Sequence, residues 1–241
     1  MVMMRLTWVA VLLVATGCGS AGQASKEHVD PDTAGRATVG ACAADSPEVT
    51  GARTIASVDL DGDGTSDKVS LTAAGGECGN TLFAKLPDGY VFIALEDNAP
   101  PVRSGYAVSP PGTDRQLLVT RSDHPRGGYQ LRVYATAPDQ LAELEHDGEA
   151  LFPFVATDVE EHPASIDCAD GGIVVTEAVP HQPAGVVAAW DVQRTTYTLK
   201  DGKVTAGPTD EVADNVLPRQ LGGKYPDLVR HAAFQSCRVP A

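Results

Sequence analysis

The chain has 241 residues, 5% of them aromatic, and a formal net charge of -14 at pH 7. This length suits one domain of about 200 residues behind an N-terminal leader. The acidic balance argues against nucleic acid binding, which needs a basic surface, and the scarcity of aromatic residues disfavours a general carbohydrate-binding function.

The first seventeen residues have the anatomy of a secretory signal. A basic start at Arg5 precedes an apolar run from Leu6 to Val14, and small residues then lead to Cys18. The apolar run is too short to span a bilayer as a helix. Small residues ending at a cysteine resemble the bacterial lipobox, whose cysteine is acylated and becomes the mature N-terminus. By this resemblance residues 1–17 are a lipoprotein signal peptide and Cys18 carries the lipid; an ordinary signal with a coincidental cysteine is the alternative.

Residues 18–41 are predicted to be a flexible tether. Residues 19–40 are mostly Gly, Ala, Ser, Asp and Lys, and so polar a segment cannot offset the entropy lost on ordering. We expect a single domain over 42–241, held at the extracytoplasmic face of the cell membrane by the lipid anchor. The acyl chains must supply this attachment, because anionic headgroups repel an acidic surface.

Four further cysteines point to disulfide bonds. They are Cys42, Cys78, Cys168 and Cys237. An even number in an oxidising compartment predicts structural bridges, and four cysteines allow three pairings. We expect Cys42–Cys78 and Cys168–Cys237, the second of which would fasten the C-terminal tail to the body of the domain.

The segment from Asp59 to Asp67 carries the strongest chemical signal in the chain. Its acidic side chains stand at positions 1, 3, 5 and 9: Asp59, Asp61, Asp63 and Asp67. The backbone carbonyl of Thr65 occupies position 7, and a hard cation such as Ca²⁺ takes six to eight oxygens. Gly62 and Gly64 permit the tight backbone path. The alternative is a metal-free turn held by Asx hydrogen bonds, in which the carboxylates would repel one another.

The flanking segments distinguish this loop from an EF-hand. An EF-hand places Glu at position 12 and continues into a helix, whereas position 12 here is Ser70 and residues 68–72 alternate as in a strand. Residues 54–58 also read as extended, so the loop joins two strands. The hairpin resembles the calcium hairpin of FG-GAP or VCBS-type repeats, found in integrin alpha-chain propellers and many secreted bacterial proteins. The resemblance covers this hairpin and implies calcium ligands at Asp59, Asp61, Asp63, Asp67 and the carbonyl of Thr65.

Downstream, short apolar runs alternate with turn residues, as is typical of an antiparallel β protein. The predicted strands are 81–86, 90–95, 116–121, 129–136, 140–146, 164–168, 173–179, 190–199 and 203–206. They group into three clusters of about the size of a propeller blade. We therefore predict an all-β antiparallel meander, with a partial β-propeller-like arrangement or a sandwich as alternatives. In the strand 129–136, alternation predicts burial of one face only.

The end of the chain changes to helical spacing. After Thr209, a plausible cap, the apolar positions are Val212, Ala213, Val216 and Leu217; after Pro226 they are Leu228, Val229, Ala232 and Ala233. We expect two short C-terminal helices that pack these positions against the sheet.

Catalytic motifs are absent from the sequence, which contains no nucleophile elbow, zinc helix or P-loop. The acidic segment 158–170 includes Asp158, Glu160, Glu161, His162, Asp167 and Asp170. It is a candidate second cation site or carboxylate pair for glycan hydrolysis, or a solvated loop between strands.

The leading hypothesis is a non-catalytic cell-surface lipoprotein that contains a structural calcium loop and binds a protein or envelope component. The alternatives are a cell-envelope hydrolase using residues 158–170 and a structural envelope protein with no discrete ligand. The lipobox and the Ala/Val/Asp-rich composition resemble lipoproteins of high-GC Gram-positive bacteria, the actinobacteria.

Overall fold

The computed structural model describes residues 37–96, 99–123, 127–138, 140–152, 155, 163–181, 189–200 and 203–240. The strands of these residues are β1 (Thr38–Val39), β2 (Cys42–Ala43), β3 (Arg53–Val58), β4 (Asp67–Leu71), β5 (Thr81–Leu86), β6 (Gly89–Ala94), β7 (Val102–Val108), β8 (Leu117–Asp123), β9 (Tyr129–Ala137), β10 (Gln140–Glu143), β11 (Glu145–His146), β12 (Glu149–Ala150), β13 (Ala164–Ala169), β14 (Gly172–Pro180), β15 (Trp190–Lys200) and β16 (Lys203–Val216). The helices are α1 (Pro47–Thr50), α2 (Pro218–Lys224) and α3 (Pro226–Val229).

Three four-stranded antiparallel meanders form the body of the domain. Sheet 1 contains β3–β6, sheet 2 contains β7–β10 and sheet 3 contains β13–β16, each with its strands in chain order. Within each of these sheets, strands that are consecutive in the chain therefore pair with each other, as in hairpins. The prediction of an all-β antiparallel fold in three clusters is confirmed.

Sheet 2 lies between the other two sheets and is buried on both faces. One of its faces packs Leu118 and Tyr134 against Val69 and Leu82 of sheet 1. Its opposite face packs against sheet 3 through the residues Val119, Val133, Ile166 and Ile173. The sequence predicted a strand buried on one face over 129–136, but Tyr134 on the other face is 0% exposed. The prediction is wrong here because β9 separates two cores.

The two outer faces of this stack are covered by the ends of the domain. The N-terminal segment that contains β1, β2 and α1 packs Val39 and Val49 against Phe83 on the outer face of sheet 1. Helices α2 and α3 pack Leu221 and Leu228 against Trp190 and other residues on the outer face of sheet 3. Thr38 and Val39 lie within the predicted tether, yet they pair with β2, so the ordered fold begins before Cys42.

Both expected disulfide bonds are present. Cys42–Cys78 joins the N-terminal segment to the connection between β4 and β5, and Cys168–Cys237 joins β13 to the C-terminal segment. The C-terminal segment also follows β7: the amide of Ser109 donates to the Cys237 carbonyl at 3.0 Å, and that of Val239 donates to the Ala107 carbonyl at 3.0 Å. The chain end thus fastens sheet 3 to sheet 2.

The structure also contains one strand that was not predicted, and it moves one predicted helix. Strand β7 was not predicted, because the residues Arg103-Ser104-Gly105 interrupt its apolar pattern. The first C-terminal helix was placed over Val212–Leu217, but Val212, Ala213 and Val216 belong to β16, and α2 begins only at Pro218. Pairing with β15 overrides the local helical spacing.

Burial of the predicted helical core positions is also only partial. Val216, Leu228 and Ala232 are buried, whereas Val212 is 37% exposed and Val229 is 43% exposed. Among the described residues, no helix combines the length and apolar character needed to cross a membrane.

Loss of either disulfide should lower the free energy of unfolding by about 4 kcal/mol, because the bridges close loops of similar entropic cost. The bonded cysteines are separated by 36 and 69 residues. The double substitutions Cys42→Ser/Cys78→Ser and Cys168→Ser/Cys237→Ser can be compared by urea denaturation. Equal stability of wild type and either variant would contradict a structural role for that bond.

Candidate metal centre

The acidic loop Asp59–Asp67 connects β3 to β4 and rests against sheet 2. The Asp59 amide donates to Gln116 Oε1 at 2.9 Å, and the Gln116 amide donates to the Asp59 carbonyl at 3.0 Å. The hydroxyl of Thr136 donates to the Leu60 carbonyl at 2.8 Å, and the Leu60 side chain is 0% exposed. The loop is therefore anchored at its first two residues by groups from another sheet.

Backbone amides inside the loop are bound by its own carboxylates. Asp59 accepts from the amides of Gly62 and Gly64 at 2.9 and 3.0 Å. Asp61 accepts from the Asp63 amide at 3.1 Å. The Leu60 amide donates to Asp67 at 3.1 Å. Hydrogen bonds of this kind are expected of a metal-free loop held by Asx turns, and they also orient the carboxylates.

Three of the four predicted acidic ligands are brought together. Carboxylate oxygens of Asp59, Asp61 and Asp67 lie within 4.8 Å of one another. Asp63 is outside this group; its carboxylate accepts from the Thr65 amide at 2.6 Å. Convergent, partly buried oxygens of this kind are the donor set that Ca²⁺ prefers, so these residues fit a hard cation.

The electrostatics of the loop are unfavourable without a counter-charge. Burial raises the pKa of the Asp67 carboxyl above 3.8, and the negative charges of Asp61, Asp63 and Asp59 raise it further. The hydrogen bond from the Leu60 amide acts in the opposite direction. Loss of solvent and like charges both disfavour the ionised form of the carboxyl.

Gly62 allows the loop to approach the connection between β7 and β8. Its φ is +81°, and a Cβ at this position would lie 2.7 Å from the carbonyl oxygen of Asp114. Gly64 has a φ of +85°, with open space where a Cβ would stand. Both glycines are required by backbone conformation, and Gly62 also by this close approach.

The supporting residues Gln116 and Thr136 were not predicted as part of the site. Their hydrogen bonds to Asp59 and Leu60 depend on the packing of sheet 2 against sheet 1. No spacing in the sequence relates them to the acidic loop, because 57 and 76 residues separate the partners.

Two other clusters of potential ligands contain disulfide sulfurs. They are Cys42 and Cys78 with Glu48, and Cys168 and Cys237 with Asp167. A metal ligand must be a free thiolate, and each of these sulfurs is bonded to another sulfur. The two clusters are therefore parts of structural bridges.

The structure describes only part of the acidic segment 158–170. Asp158, Glu160, Glu161 and His162 lie outside the described residues. Asp167 Oδ1 accepts from the hydroxyl of Ser236 at 2.7 Å and from its amide at 3.2 Å. Asp167 thus holds the C-terminal segment beside its disulfide, which is a structural role, and in the described part of this segment we find no observation that favours hydrolysis.

No protein-family model, curated protein or solved structure matches this chain. The candidate centre is therefore interpreted from its own geometry. The predicted signal peptide 1–17 and lipid-bearing Cys18 lie outside the described residues.

Asp67→Asn should leave the melting temperature of the metal-free protein unchanged or raise it at neutral pH. The raised pKa of Asp67 means that its protonated form favours the folded state. This contribution is present below pH 3.8 and is lost as pH rises through the folded pKa. The Asn side chain can still accept from Leu60. Calorimetry in chelator should show the difference between variant and wild type vanishing as the pH falls through the folded pKa.

The substitution Asp214→Asn serves as the control. Asp214 is an exposed residue of strand β16, so this change removes one negative charge at a position outside the loop. A metal-free Asp67→Asn protein less stable than both wild type and this control at neutral pH would contradict the electrostatic interpretation.

Proposed function

We propose that this protein is an exported, lipid-anchored and non-catalytic binding protein whose β domain is stabilised by one calcium ion. The observation that supports the metal is the convergence of carboxylate oxygens from Asp59, Asp61 and Asp67 within 4.8 Å. The calcium ligands that we propose are these three residues with Asp63 and the carbonyl of Thr65. The binding partner is a protein or a component of the cell envelope.

The contacts of the loop suggest what the ion would do. The first residues of the loop bond to Gln116, directly before β8, and to Thr136 of β9 in sheet 2, while the loop itself connects two strands of sheet 1. Neutralising the carboxylates would remove their mutual repulsion at the junction of the two sheets. The ion would therefore stabilise the packing of sheets as well as the hairpin.

The N-terminal sequence and the disulfide bonds support the proposal of export and anchoring. Two structural bridges are typical of proteins that fold in an oxidising compartment. We propose that residues 1–17 direct export and that acylated Cys18 attaches the domain to the extracytoplasmic face of the membrane. Several acyl chains on one residue give firm attachment, since a single chain binds only reversibly.

Calcium should raise the melting temperature of the wild-type protein relative to the same protein in chelator. A ligand present at about 100 times its dissociation constant adds about 2.7 kcal/mol of stability. Asp61→Asn should abolish this gain, although its amide oxygen can still accept from the Asp63 backbone. Calorimetry with chelator, calcium and magnesium measures the effect.

Asp214→Asn should retain the full response to calcium. If calcium changes the melting temperature of neither wild type nor Asp61→Asn, the loop is a metal-free turn and the metal part of the proposal is wrong.

Cys18→Ser should release the full-length protein from the membrane fraction, because the acylation site is lost. Fractionation of producing cells and mass spectrometry of the N-terminal peptide measure this. Cys42→Ser/Cys78→Ser should keep the lipid, since it changes other cysteines. Retention of the Cys18→Ser protein in the membrane, or an unmodified Cys18 in the wild type, would show that the anchor is not there.

A further inference from the structure

The C-terminal helices cover only part of the outer face of sheet 3. They pack over Ala178, Trp190 and Val192. Beside this contact an open cleft of about 450 Å³ lies between the remaining sheet surface and the helices. Its volume is within the usual range of small-ligand sites, about 300–1,000 Å³.

The floor of the cleft is a row of polar side chains across three strands. Ser165 in β13 pairs with Thr176 in β14, and Thr176 pairs with Arg194 in β15. Directly paired residues stand on the same face of a sheet, so two hydroxyls and a guanidinium group point the same way. Thr196 lies two residues beyond Arg194 and therefore shares this face.

The helices supply the opposite wall. Lys224, the last residue of α2, and Tyr225, which connects α2 to α3, both line the cleft. Tyr225 is half-buried and packs on the core beneath the helices, which restricts its ring. The cleft thus combines two cations, several hydroxyl groups and one aromatic side chain.

Arg194 differs from the other strand arginines of the described residues. Arg53 donates to backbone carbonyls of residues 102 and 103, Arg103 and Arg121 pair with Asp123, and Arg132 pairs with Glu143 at 2.7 Å. Neither Arg194 nor Lys224 has an ion pair with any described residue. Both side chains are exposed, as are other cations of the described residues that have no ion pair, but these two line the same cleft.

Two carboxylates also line the cleft, and they differ in availability. Asp167 already accepts hydrogen bonds from the amide and hydroxyl of Ser236. Asp227 is exposed in the first turn of α3. Neither lies within ion-pair distance of the cations, so the guanidinium and ammonium groups are free to meet an anion brought by a ligand.

We propose that this cleft binds an anionic sugar residue of an envelope polysaccharide. Arg194 and Lys224 would bind its carboxylate or phosphate group through charge-assisted hydrogen bonds. The hydroxyls of Ser165, Thr176 and Thr196 would bind the sugar hydroxyls, and the Tyr225 ring would contact its apolar face. Recognition rests on charge, so it does not require the aromatic platform that the sequence lacks.

This inference rests on the envelope-binding part of the proposed function and does not require the calcium ion. The cleft is on sheet 3, whereas the acidic loop connects strands of sheet 1 and contacts sheet 2. Binding should therefore persist in chelator at a temperature where the metal-free protein is folded, which separates failure of the cleft from failure of the metal centre.

Isothermal titration of the full mature chain can test the cleft with three probes: a galacturonic acid oligomer, a galactose oligomer of equal length and a sugar phosphate. The protein should bind one or both anionic probes and not the neutral one. Binding of the galacturonic acid oligomer would indicate a carboxylate ligand, and binding of the sugar phosphate would indicate a phosphate ligand. Arg194→Gln/Lys224→Gln should weaken binding at least about tenfold, because two charge-assisted hydrogen bonds are lost.

The matched control is Lys200→Gln/Lys203→Gln, which removes two positive charges from β15 and β16 outside the cleft. It should bind like the wild type. Failure of both anionic probes to bind, equal weakening in the two double variants, or tighter binding of a poly-glutamate peptide than of either saccharide would each overturn the proposal.

Discussion

The structure depends on covering the two outer faces of a stack of sheets. Sheet 2 is buried on both sides by its neighbours, but sheets 1 and 3 each have an outer face with large apolar residues, such as Phe83 and Trp190. A closed ring of sheets would cover such faces with further sheets. Here the two ends of the domain do so, as terminal caps do in repeat proteins. Each disulfide ties one chain end to the stack, which keeps these short segments in place.

The environment of the acidic loop also depends on this stacking of sheets. A turn of this composition could exist in an isolated hairpin, but its first residues are bonded to Gln116, directly before β8, and to Thr136 in β9 of the next sheet. Packing therefore buries Leu60 and brings Asp67 into a less polar environment; this burial raises the pKa of Asp67, and the neighbouring carboxylates raise it further. The resulting repulsion acts at the junction of two sheets. A cation in the loop would relieve this repulsion.

The proposed saccharide cleft arises because the two caps differ in extent. The C-terminal cap consists of two helices of 7 and 4 residues, which are too short to cover sheet 3 completely. The uncovered surface carries polar side chains beside Val174, and its row of Ser165, Thr176 and Arg194 follows from strand register. A solvated face needs only polar residues. Arg194 on the sheet and Lys224 on the opposite wall are the two cations that the proposed anionic ligand would bind.

The sequence by itself determined the features that are encoded locally. Alternation and turn residues predicted most strands, such as the hairpin of β13 and β14 across Asp170 and Gly171. The spacing of the aspartates predicted that four side chains converge, and three of them do. Only the tertiary structure decided that both faces of β9 are buried, that residues 212–216 extend β16, and that Gln116 and Thr136 support the loop. The physical reason is the range of the interaction. Periodicity reports on neighbouring residues, whereas strand pairing and sheet packing join residues far apart in the chain, and they prevail over local preference where the two conflict.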